Sequence, residues 1–168
     1  MITGMHAPKV RVFLATAVPL LVIDRVSKMM AYGGLQPIGI PHDLLGTVVR
    51  FTLMLNREAA MNITLGGWSR WGLAAIAVAG IALVLVWLRA TPAHDATRAA
   101  ALGLIAGGAA GNLVDRIRWE HGVVDFIDIG LGPHRFWTFN VADIGVTIGA
   151  VLLAMEFARD RPPTAHDA

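Results

Sequence analysis

The feature that most constrains this chain is the alternation of long apolar runs with short charged clusters. Four runs, roughly Val10 to Met30, Ser69 to Trp87, Thr97 to Val114 and Phe139 to Phe157, each approach the ~20 residues a helix needs to cross ~30 Å of hydrocarbon. With 55% of its 168 residues apolar and only 15% charged, the chain is too greasy for a soluble domain of this size. The expected fold class is an all-α membrane protein: one domain over residues 1–168, a bundle of four transmembrane helices with a small extracytoplasmic cap containing β structure. The first run follows Lys9 and Arg11 as a signal peptide would. Asp24, Arg25 and Lys28 interrupt its far end, so it reads as a retained anchor.

Four crossings put both termini on one side, and the two long loops, about 31–68 and 115–138, share the other. Basic residues flank both faces, and the short flanks place the termini in the cytoplasm. Trp68, Trp71, Trp87, Trp119 and Trp137 sit at run ends, where an interfacial belt would hold them. Gly103, Gly107 and Gly111 recur every four residues and Gly145 and Gly149 follow in the last run, so the helices should pack closely through small residues. In the first loop, Val49, Phe51, Leu53 and Leu55 alternate with Arg50, Thr52 and Met54, a half-buried strand leading into Asn56. In the second, Val123 to Ile129 reads as a strand carrying Asp125 and Asp128. Their odd spacing sends them to opposite faces, so only one can point at a shared site and Asp128→Asn is expected to be tolerated.

Other chemistries find little support. Cysteine is absent, which excludes disulfides and thiolate chemistry. The net charge of +2 is spread along the chain, without the basic stripe of a nucleic-acid binder. Ser27 adjoins Lys28, but helical neighbours at i,i+1 do not face each other, so a Ser-Lys dyad is not expected. His6, His42, His94, His121, His134 and His166 are scattered without metal-ligand spacing, so no metal site and no cofactor are expected. Asn62-Ile63-Thr64 matches a short glycosylation pattern that carries little weight.

The polar residues within the runs separate by depth. Asp24 and Lys28 fall late in the first run, Asn112, Asp115 and Arg116 close the third, and Asn140 and Asp143 open the fourth, all at the outer end. A charge at membrane depth costs at least ~2.5 kcal/mol, so carboxylates from three helices at one level suggest a shared polar cavity. Spacings of three and four keep each set on one helix face, and Asp125 can fold onto the same centre. Plainer readings exist for most of them. Asn140 suits a helix N-cap, Asp24 with Lys28 an ordinary ion pair, and Asp115 beside Arg116 a buried pair that orients its neighbours. Asp143, one turn inside a membrane helix with no basic neighbour in sequence, is the hardest to explain structurally.

Three blocks then stand out together: Gly107-Gly108-Ala109-Ala110-Gly111-Asn112-Leu113-Val114-Asp115-Arg116, Val123-Val124-Asp125-Phe126-Ile127-Asp128, and Phe139-Asn140-Val141-Ala142-Asp143. In order and spacing they closely resemble lipoprotein signal peptidase, the type II signal peptidase of bacteria. Asp24 with Lys28, and Asn56 followed by Ala59-Ala60, match two further family positions, so the resemblance covers nearly the whole chain. It implies a four-helix inner-membrane aspartyl endopeptidase that cuts prolipoproteins just before a diacylglyceryl-modified cysteine and is inhibited by globomycin. By motif position Asp125 and Asp143 would be the catalytic pair. Asn56, Asn112 and Arg116 would bind the substrate backbone or inhibitor, and Asp24, Lys28, Asp115 and Asn140 would support the site. The implied partners are lipidated precursors and membrane lipid, and the chain would act as a monomer. Where the family usually has glycine and an aromatic in the Asn56 loop, this chain carries Glu58 and Met61, which should alter substrate or inhibitor fit. The competing readings are a catalytically silent relative that binds lipoprotein precursors and a proton- or cation-coupled transporter. The confinement of the carboxylates to one end argues against a transport path.

Overall fold

The structure, a computed structural model, describes residues 8–57 and 69–159. The Glu58 and Met61 departure, Trp68 and the Asn62 pattern lie outside those residues. Four long helices are described: α1 (Pro8–Gly34), α2 (Ser69–Ala90), α3 (Ala96–Arg118) and α4 (Val141–Arg159). Between them lie four strands, β1 (Pro41–Leu45), β2 (Val49–Asn56), β3 (Val123–Leu131) and β4 (His134–Arg135).

The helix ends identify the direction of each helix. Lys9 at the start of α1 donates to the carbonyls of Arg89 (3.0 Å) and Thr91 (2.5 Å) at the end of α2, whereas Arg70 at the start of α2 donates to Arg116 (2.5 Å) and Ile117 (2.9 Å) at the end of α3. Lys28 late in α1 pairs with Asp115 late in α3. Helices α1 and α3 therefore run one way and α2 and α4 the other. The start of α3 is set by Asp95, whose carboxylate accepts the Arg98 amide at 2.9 Å and satisfies one of the unpaired donors of the first turn.

Helix α3 is the centre of the bundle, and its small residues make that possible. A Cβ on Gly107 would lie 2.6 Å from the carbonyl oxygen of Ala17 in α1, and one on Gly149 of α4 would lie 2.7 Å from that of Ala101. Backbones this close admit no side chain, and forcing one in would cost about 1–3 kcal/mol or more. Toward the start of α1 and the end of α2 the bundle closes over Phe13, Ala17, Val84, Leu88, Leu102, Ala106 and Leu153. The outward surface is also apolar, with Leu14, Val18, Val22, Ile76, Leu83, Ile148 and Val151 all exposed, a belt that suits hydrocarbon rather than water. On length and composition alone, α2 and α4 are apolar enough to cross a membrane. Helices α1 and α3 carry the buried charges instead.

The helix boundaries differ from the apolar runs in instructive places. Helix α3 continues past Val114 through Asp115 and Arg116, because partners on α1 neutralise Asp115 inside the bundle. Helix α4 starts at Val141 rather than Phe139, because Phe139 is held in an extended bridge to Ile127 and Asn140 becomes the cap.

The strands form one antiparallel sheet in the order β1-β2-β3-β4. The expected alternation along β2 does not survive. Phe51 opposes Ile127 but Met54 opposes Asp125, so one extra residue bulges out of β2 between them. Thr52 and Leu53 are consequently both buried although adjacent in sequence. The turn from α3 into β3 passes through Gly122 at φ +88, and a Cβ there would strike the carbonyl of Asn56, so the turn is pressed onto the end of β2.

Candidate active site

Five segments, α1, β2, α3, β3 and the start of α4, deliver the expected polar residues to one end of the bundle. Strand β3 lies against the chain just before α4, with the amides of Phe126 and Ile127 donating to the Phe139 carbonyl (3.0 and 2.8 Å) and the Phe139 amide donating to Ile127 (3.0 Å). This clamp carries Asn140 to Asp125. Asn140 also caps α4 reciprocally: its Oδ1 accepts the Asp143 amide at 3.1 Å, while its own amide donates to Asp143 Oδ2 at 3.1 Å. The plain reading of Asn140 as a cap is thus correct, and the cap is also part of the site.

The two carboxylates singled out by motif meet through amides. Asn140 Nδ2 donates to Asp125 Oδ1 at 2.6 Å, Asn56 Nδ2 donates to Asp125 Oδ2 at 3.0 Å, and Asn112 Nδ2 donates to Asp143 Oδ1 at 2.8 Å. Asn112 Oδ1 accepts from Lys28 Nζ (2.7 Å) and Asn140 Nδ2 (3.2 Å). Its orientation is forced, because an ammonium can only donate and a carboxylate oxygen prefers to accept. Asp125 is almost wholly buried, and burial together with the nearby charge of Asp143 pushes its carboxyl up to about 6, against the opposing pull of the Asn56 and Asn140 hydrogen bonds and of Lys28.

Beside this pair lies a second cluster built from ions. Lys28, 1% exposed, bridges Asp24 Oδ2 at 2.8 Å and Asp115 Oδ2 at 3.1 Å, and both acids are fully buried. Asp24 Oδ1 accepts the Ala142 amide at 2.9 Å, which ties α1 to the first turn of α4. The expected pairing of Asp115 with Arg116 is not what forms. Neighbours at i,i+1 diverge around a helix, and Asp115 pairs with Arg25 and Lys28 of α1 instead. Arg116 donates to the Asn112 carbonyl at 3.3 Å and lies within electrostatic reach of Asp143 and Asp125. Arg25 was legible only as a charge interrupting the first run. Its spacing from Lys28, one turn of helix, is the signal that could have assigned it to the same cluster.

Asp128 faces away from Asp125, as strand parity requires, but it is not a free surface residue. It is buried, accepts Thr52 Oγ1 at 3.0 Å, and pairs with Arg135 at 2.8 Å. Substitution of Asp128 therefore carries a cost that parity alone did not reveal. Among the described residues no group of His, Cys, Asp or Glu is arranged to hold a metal ion. A cavity of about 240 Å³ opens on the ionic side, lined by Arg25, Lys28, Met29, Tyr32, Asp115 and Trp119, and neither Asp125 nor Asp143 borders it.

Comparison with known proteins places this arrangement. The family model described as signal peptidase (SPase) II matches residues 16–159. A lipoprotein signal peptidase of Pseudomonas fluorescens is 39% identical over 155 residues, covering 89% of this chain and 88% of the relative. One from Burkholderia cenocepacia is 36% identical over 164 residues, covering 94% and 91%. Two solved structures, each of a bacterial membrane enzyme obtained by the in meso method, superpose with TM-scores of 0.75 and 0.74 at 27% and 26% identity. They cover 88% and 89% of this chain and 88% and 94% of theirs. This chain is a membrane protein and a peptidase, and it belongs to the signal peptidase II family.

Proposed function

We propose that the chain is an aspartic endopeptidase that removes signal peptides from diacylglyceryl-modified prolipoproteins, cleaving before the lipidated cysteine, with Asp125 and Asp143 as the reacting pair. The observation that carries this reading is the position of Asn140, which hydrogen-bonds both carboxylates at once although they belong to different elements. The names of the relatives support the substrate class.

The chemistry follows from the surroundings of each acid. Asp125 retains its proton until about pH 6 and so can donate to the scissile carbonyl oxygen. Asp143, each of whose oxygens already accepts a hydrogen bond, takes a proton from the attacking water. The water oxygen bonds to the carbonyl carbon; the C–N bond then breaks as the leaving amine collects the proton held by Asp143, and the hydroxyl formed from the carbonyl returns its proton to Asp125, leaving a carboxylic acid product. Asn56, Asn112 and Arg116 surround the pair and are placed to orient an extended peptide, while Asp24, Lys28 and Asp115 hold the helices that carry it.

In this reading all four helices span the bacterial inner membrane, the termini are cytoplasmic, and the carboxylates face the extracytoplasmic interface, where water is available and a lipid anchor would hold the scissile bond. The test is incubation of the purified chain with a diacylglyceryl-modified precursor. Release of the signal peptide, blocked by globomycin, is expected. Failure to cleave the lipidated precursor, or equal cleavage of its unmodified form, would overturn the assignment.

A further inference from the structure

The bulge in β2 decides which side chain meets Asp125. Facing residues in a strand pair share a sheet face, and residues two apart along a strand share it as well. Phe51 opposes Ile127, so Phe51 lies on the face of Asp125. Unbroken alternation would continue through Leu53 and Leu55, leaving Asn56 on the opposite face with Asp128. The extra residue reverses the parity: Met54 now opposes Asp125, and Asn56, two residues on, reaches the carboxylate diagonally at 3.0 Å. One inserted residue is what brings the Asn56 amide to this acid.

A polar network sits at the bulge and holds its upstream side. Arg50 opposes Asp128 across the strands, and Thr52 Oγ1, the last side chain in the upstream register, donates to Asp128 Oδ2 at 3.0 Å. Arg135 of β4 grips the other oxygen of Asp128 through Nε at 2.9 Å, donates to its carbonyl at 3.1 Å, and reaches back to the Thr47 carbonyl in the β1–β2 turn at 2.7 Å. One carboxylate and one guanidinium thus join β2, β3, β4 and the first turn at the point where the register changes. A bulge displaced along β2 would send each side chain it passes to the opposite face of the sheet, so its position decides which residues face Asp125.

We propose that Thr52, Asp128 and Arg135 are positioning residues for the reaction, fixing the bulge at Thr52–Leu53 so that Asn56 is held on the face of Asp125. This rests on the reading of Asp125 as a reacting group. If the bulge moves toward Asn56, that amide turns away, Asp125 loses a hydrogen bond that favours its charged form, and the reacting pair is misplaced, while the fold stands.

Thr52→Val removes the hydroxyl and keeps both shape and strand preference, whereas Thr52→Ser keeps the hydroxyl. For Thr52→Val we expect kcat to fall about tenfold with KM nearly unchanged, and the alkaline limb of the pH profile to move upward. Thr52→Ser should restore both. Because the chain has no cysteine, register can be read separately by oxidising introduced pairs. Leu55→Cys with Val124→Cys, which oppose each other in this register, should cross-link in the parent. In the Thr52→Val background, Leu55→Cys with Val123→Cys should cross-link instead. Unchanged cross-linking in Thr52→Val, or a Thr52→Ser variant as impaired as Thr52→Val, would overturn the proposal. Full activity of Asp125→Asn would instead remove Asp125 from the chemistry, a failure of the proposed function that leaves the cross-linking result standing on its own.

Discussion

Two clusters of buried carboxylates lie side by side at one end of this bundle, sharing Asn112, and they are held in opposite ways. Asp24 and Asp115 are neutralised by direct ion pairs with Lys28 and Arg25. Asp125 and Asp143 are held by the amides of Asn56, Asn112 and Asn140, and among the described residues neither makes an ion pair. Removing one partner of a buried ion pair leaves the other charge uncompensated and is costly. A carboxylate held by neutral amides can still gain or lose a proton. In the proposed mechanism this difference separates acids that tie helices together from acids that react.

The largest effect expected from this contrast is on turnover. Asp143→Asn and Asp125→Asn should each reduce precursor cleavage by at least about a thousandfold, with membrane levels of the protein unchanged by immunoblot. Loss of the protein itself would place these acids with the structural cluster. Next, Lys28→Met strands Asp24 and Asp115 without their shared cation and should lower stability by about 3–5 kcal/mol, seen as early thermal unfolding in detergent. A variant that unfolds like the parent but does not cleave would move Lys28 into the chemistry. Smallest is the response to pH. The raised carboxyl of Asp125 keeps its proton below about 6 and loses it above, so kcat/KM should fall about tenfold per unit as pH rises beyond that midpoint. A profile flat from pH 5 to 8 would remove Asp125 as the proton donor.

Much of this was legible in the residues, and the gaps have physical causes. Helices of this length announce themselves by apolar runs, and the depth of Asp24, Asn112, Asp115 and Asp143 follows from counting along them. The β2 and β3 segments were readable from their β-branched and alternating residues. The bulge was not, because the residues Val49 to Asn56 fit an unbroken strand equally well, and only the cross-strand partners reveal the inserted position. The pairing of Asp115 with Arg25 was hidden for a related reason. Sequence adjacency favoured Arg116, and the choice was made by how closely Gly103 and Gly107 let α1 approach α3. Local spacing places side chains on a face, whereas partners across elements depend on packing that no single segment encodes.

The central claim is that the side chains at positions 125 and 143, far apart in sequence, are close enough to feel each other's charge. The most direct measurement is a carboxyl-carbon NMR titration of Asp125 in the parent and in Asp143→Asn. We predict a midpoint near about 6 in the parent that drops when the neighbouring charge is removed. A midpoint indifferent to Asp143→Asn would show that the two acids do not interact, and the account of the site would fail.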